Sequence, residues 1–122
     1  MVHKISLESE HHGKNYIIHV SGVITAETLE DYRKYMDILI DKLDVADKAD
    51  INFILDYSGV TDVDSSTLAN ILDRLKNDVR ADHEVAFVNV NDEFRDLVTI
   101  HKLDDKIRIF ETVDAAIAEL DQ

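Results

Sequence analysis

Ile51-Asn52-Phe53-Ile54-Leu55-Asp56 is a nearly continuous apolar run that closes on a carboxylate, and beyond it Asp64-Ser65-Ser66 opens a stretch in which Leu68, Ile71, Leu72, Leu75 and Val79 recur at three- and four-residue steps. The run reads as a central strand covered on both faces. The second spacing marks one apolar stripe on a helix. A buried strand followed by an amphipathic helix predicts a crossover unit of a parallel sheet, with the polar residues 57–63 between them as a connecting loop.

Working outward toward the N-terminus, Leu29, Tyr32, Met36, Leu39, Ile40 and Leu43 form another helical stripe, with Thr25 as its expected N-cap. Ahead of it, Ile5, Leu7 and Ser9 alternate with polar residues. Tyr16-Ile17-Ile18-His19-Val20 follows after His11-His12-Gly13-Lys14-Asn15, which predicts two strands joined as a hairpin. Toward the C-terminus, Val85 to Val90 reads as a strand, and Asn91 as the cap of a short helix with Phe94, Leu97 and Val98 on its buried face. Ile107-Arg108-Ile109-Phe110 is a last strand, and Thr112 caps a terminal helix whose stripe is Val113, Ala116, Ile117 and Leu120. The order β-β-α-β-α-β-α-β-α predicts an α/β fold. It is a single domain over residues 1–122, with a mixed sheet of about five strands, antiparallel at the opening hairpin and parallel elsewhere.

The composition narrows what such a domain does. A chain of 122 residues supports one hydrophobic core. No apolar run approaches the roughly 20 residues that cross a bilayer, so no membrane insertion is expected. Met1-Val2-His3-Lys4-Ile5-Ser6 passes straight into an alternating pattern without the apolar segment of a secretory signal, which points to the cytoplasm. There is no cysteine, which removes disulfides, thiol nucleophiles and thiolate metal sites together. With 26 acidic against 13 basic residues the net charge is −13, a field that repels phosphate backbones and anionic headgroups. Nucleic acid is therefore not an expected partner, whereas a basic face on another protein is compatible with the charge.

No residue pattern supplies a reaction. His11, His12, His19, His83 and His101 are scattered over different elements without ligand spacing, so neither a metal nor a cofactor is expected. Gly-rich phosphate loops, glycine-flanked nucleophilic serines and dinucleotide fingerprints are lacking, and the chain is read as a non-enzyme with no catalytic residue. Asp56 at a central strand end invites comparison with the phospho-accepting aspartate of receiver domains. Those domains need further acidic residues after the first strand and a lysine late in the chain. Here the first strand enters a hairpin and the late strand carries only Arg108, so Asp56 is expected to hydrogen-bond its own loop.

Asp64-Ser65-Ser66-Thr67 places three consecutive hydroxyls at a helix start. Capping of free backbone N–H groups accounts for one of them, at on the order of 1 kcal/mol. The same N–H groups and the positive helix end also accommodate an anion, including a phosphate carried by one of the hydroxyls. Residue pattern alone leaves both readings open.

At these residues the chain resembles the STAS domains, and within them the bacterial anti-sigma factor antagonists. The order of elements, the strand Ile51 to Asp56, the Asp64-Ser65-Ser66 helix start and the tail Phe94 to Leu120 all carry the likeness. In that family the serine directly after the aspartate is phosphorylated by its partner, an anti-sigma factor with serine kinase activity. The resemblance therefore implies phosphorylation at Ser65 and a partner-binding surface of Asp64, Ser65, Ser66 and Thr67. Family members commonly continue with Gly-Leu-Gly where this chain has Thr67-Leu68-Ala69. The family also contains stressosome subunits and a small component of lipid-transport ABC complexes, so a non-catalytic scaffold is the alternative role. Because successive helical residues turn by about 100°, the three hydroxyls cannot face one kinase together, and Ser65, nearest the open end, is the expected target.

Overall fold

The computed structural model describes residues 4–44, 50–78, 83–103 and 107–120; the stripe position Val79 lies outside them. Strand β1 (Ile5–His12) turns through Gly13 and Lys14 into β2 (Asn15–Ile24), with Gly13 at φ +62°, the left-handed backbone a tight two-residue hairpin demands. Then follow α1 (Leu29–Leu43), β3 (Asn52–Val63), α2 (Ser65–Asp78), β4 (Glu84–Val88), α3 (Asp92–Ile100), β5 (Ile107–Phe110) and α4 (Val113–Leu120). The five strands form one sheet in the order β1-β2-β3-β4-β5, antiparallel between β1 and β2 and parallel at every other pairing. This is the mixed α/β architecture read from the alternation of periods.

The parallel register explains the unbroken apolar runs. Ile18, Leu55 and Phe87 lie side by side and point to the main core, where Tyr32 of α1, Leu68 and Leu72 of α2, and Phe94 and Val98 of α3 meet them. Their neighbours Ile17, Ile54 and Ala86 point the other way, onto Ala116 and Leu120 of α4. Both faces are therefore apolar, as the strand Ile51 to Leu55 implied. Each fully buried large side chain, such as Phe87, contributes about 1.5–3 kcal/mol relative to exposure.

Three expectations are corrected. First, residues 57–63 are not a loop: β3 runs through them to Val63, paired with Ser21 to Ile24 of β2. Two register shifts, at His19/Ser21 and Gly22/Val23, break the alternation. The strand period is thereby lost from the sequence although the backbone pairing continues. Second, α1 is entered at Thr28, not Thr25; the Thr28 hydroxyl donates to the Val23 carbonyl at 2.8 Å and accepts from the Thr25 N–H, tying the strand end to the helix start. Third, β4 stops at Val88. Asn89 takes φ +60°, a backbone that asparagine tolerates better than most residues, and turns its side chain to the Asp56 carboxylate instead of extending the strand. The expected caps Asn91 and Thr112 are as read, accepting from the N–H groups of Phe94 at 2.9 Å and Ala115 at 3.0 Å.

Candidate functional site

The starts of α1, α2 and α3 follow directly on the C-terminal ends of the parallel strands β2, β3 and β4, so all three helices open at one edge of the sheet. Asp64 links β3 to α2. Its N–H donates to the Ile24 carbonyl at the end of β2, at 2.8 Å, and its own carbonyl accepts the first helical bond from Leu68 at 2.9 Å. Its carboxylate accepts from the Ser66 N–H at 3.0 Å and the Ser66 hydroxyl at 2.9 Å. Those Ser66 bonds, with weaker ones from Thr67, hold the Asp64 carboxyl below the ordinary carboxylate value. Asp64 is the cap of α2, and neither Ser65 nor Ser66 is needed for it.

Ser65 is the first residue of α2, half-buried, and its hydroxyl donates to the carboxylate of Glu93 in the first turn of α3. Ser66 is exposed. Thr67 is only 5% exposed and lies beside the buried Leu68, with Ser65 and Ser66 more open to solvent. The physical reason is the 100° step, which puts the third residue of the helix on the core side.

The position of Glu93 is set by the core. Phe94 is buried against the rings of Phe87 (centroids 4.8 Å apart) and Tyr57 (5.7 Å), which anchors the first turn of α3 against β3 and β4. Leu68 does the same for the first turn of α2. Glu93 was not singled out from the sequence, because a carboxylate in a first helical turn is ordinary there and only the packing of two helices shows which hydroxyl it meets.

Asp56 lies within β3, 7% exposed, opposite His19 of β2 and Val88 of β4. His19 Nδ1 is 2.8 Å from one carboxylate oxygen, which also accepts from the Ser58 hydroxyl; the other accepts from Asn89 Nδ2 at 2.8 Å and the Ser58 N–H at 3.0 Å. The local bond expected for Asp56 is present as the Ser58 pair, formed within β3, but the partners His19, from within β2, and Asn89, from just past β4, were not foreseen. Burial by itself pushes this carboxyl up, and the bonds from Asn89, Ser58 and His19 outweigh it, so the group sits below the ordinary carboxylate value. Both carboxylate oxygens thus accept bonds that tie β3 to β2 and to the end of β4. Among the described residues no group of three or more His, Asp or Glu side chains is placed to hold a metal ion, and no helix is long and apolar enough to cross a membrane.

A depressed carboxyl makes a definite pH prediction. The stability that Asp56 contributes is present above the unfolded-state value near ~3.9 and is lost as pH falls through the lower folded value. Asp56→Asn is expected to melt below the parent at pH 7, with the difference shrinking as the pH is lowered toward 3. Thermal melts at a series of pH values check it, and a difference that stays constant or widens in acid contradicts the assignment.

A family model described as STAS domain matches residues 6–116. Among solved structures, an anti-sigma factor antagonist from Mycobacterium paratuberculosis superposes with TM-score 0.74 at 18% identity, covering 97% of this chain and 95% of that one. The Bacillus cell fate determinant SpoIIAA in its phosphorylated form gives TM-score 0.62 at 17% identity, over 94% and 99%. The murine Solute Carrier 26 anion transporter, member A9 of its family, gives 0.60 at 16% identity; it covers 88% of this chain, which corresponds to 18% of the transporter. At these identities the likeness is one of fold. No curated protein sequence matches the chain.

Proposed function

The chain belongs to the STAS domain family, and from that premise we propose that it is an anti-sigma factor antagonist. It binds an anti-sigma factor with serine kinase activity through the α2 start, and phosphorylation of Ser65 ends that binding. The observation that carries this reading is the division of labour at the helix start. Asp64 does the capping and Thr67 is packed inside, which leaves Ser65 as an accessible hydroxyl without a capping duty. The likeness to anti-sigma factor antagonists, one of them solved in both unphosphorylated and phosphorylated forms, supports it. The module is non-catalytic in this reading, and the net charge of −13 suits a basic partner face.

The test is an affinity capture from the native cell with the parent protein and with Ser65→Ala as bait. Recovery of a kinase-type anti-sigma factor that labels the parent at Ser65 supports the proposal. Recovery of transporter or stressosome subunits alone would replace it with the scaffold role.

A further inference from the structure

Resting on the reading that Ser65 is the modified residue, we propose that Glu93 is the positioning residue of the switch. Its carboxylate holds the Ser65 hydroxyl while the serine is unmodified and repels the phosphate once it is attached. The contact that latches the start of α2 to the start of α3 thus becomes a repulsive one.

The argument begins with the proton. Among the hydrogen bonds at the α2 start, the Ser65 hydroxyl donates to Glu93 on a different helix, whereas the Ser66 hydroxyl donates to the adjoining cap Asp64. Phosphoryl transfer forms a bond from Ser65 Oγ to phosphorus, releases the donor's leaving group and removes the hydroxyl proton. The ester oxygen that remains has nothing to donate. Acceptor then faces acceptor, with about −1.5 to −2 of charge set beside a carboxylate. Glu93 cannot withdraw far, because the adjoining Phe94 is locked between Phe87 and Tyr57 and Asn91 caps the same turn. The positive ends of α2 and α3 attract the phosphate and oppose the repulsion. Only the carboxylate changes from partner to opponent on modification, so the switch is read between two helices and not within one.

Phosphoserine installed at position 65 during synthesis tests this without a kinase or partner, by following the phosphorus resonance as a function of pH. A neighbouring carboxylate resists the second ionisation. In the parent it is expected at a pH about 0.5 higher than in Glu93→Gln, roughly a threefold change in the ionisation constant. Asp92→Asn, which removes a charge from the same turn without touching Ser65, is expected to titrate like the parent. Equal titration of the parent and Glu93→Gln overturns the proposal, and so does an equal shift in Asp92→Asn, which would make the effect a general field of the acidic edge. Either result leaves the capture experiment above standing, so the two readings fail separately.

Discussion

Ser65→Asp is expected to lose most of its affinity for the anti-sigma partner, on the order of 100-fold or more, while melting within a few degrees of the parent. The two halves of this expectation come from different surroundings. In the free protein the new carboxylate is half-exposed at a helix start, where attraction by the helix end amounts to about 0.3–1 kcal/mol. Repulsion from Asp62, Asp64 and Glu93 is of similar size and screened by salt over about 10 Å. The net change in stability is small. In a complex the same group loses its water, and an unpaired buried charge costs several kcal/mol. Ser65→Ala is the complement, since it removes the bond to Glu93 yet is expected to bind and to resist switching. Calorimetric titration with the captured partner, alongside thermal melts of both variants, checks the pair. Unchanged affinity in Ser65→Asp, or a melt many degrees lower, would show that the switch does not act through this surface.

Gly22→Ala carries the largest expected effect on folding. Gly22 pairs with Ile5 of β1, lies at one of the register shifts against β3, and holds φ +105°, a backbone that side chains rarely adopt. A Cβ built there would stand 2.1 Å from the carbonyl oxygen of Lys4 and 3.0 Å from the Ile5 Cα. That carbonyl also accepts from the Val23 N–H at 2.8 Å, so it cannot move aside without breaking the first rung of the hairpin. Strained backbone of this kind costs about 1–3 kcal/mol by itself. The clash adds to it, and a total of about 3 kcal/mol or more is expected for a domain whose whole stability is of the order of 5–15 kcal/mol. Urea unfolding would measure it. As a comparison, Gly13→Ala has open space for its Cβ and should show only the cost of its positive φ.

Glycine position illustrates how far sequence reading reaches. Gly13 was legible as a turn residue because the hairpin is local. Gly22 and Gly59 instead sit inside strands, and their demands come from a neighbouring strand: Gly22 from Lys4, Gly59 from Ser21, whose Cβ would be 2.7 Å away. The same reason explains the missed half of β3. Residues 57–63 lack strand periodicity because β2 passes beside them with two register shifts, and the pairing partner supplies the order that the pattern lacks.

The sequence by itself determined the order of elements, the two-sided burial of the central strands, the caps at Asn91 and Thr112 and the placement of Ser65 at a helix start. Each of these follows from spacing within a few residues, where propensity and hydrophobic period act directly. Tertiary structure decided which hydroxyl is spare and what it touches. Thr67 is inside because α2 packs Leu68 into the core. Ser65 meets Glu93 because Phe94 seats α3 beside α2. Asp56 is taken up by His19 and Asn89 because parallel pairing brings three strands level. Contacts between residues 28 to 37 positions apart depend on how faces pack, and no local spacing encodes them.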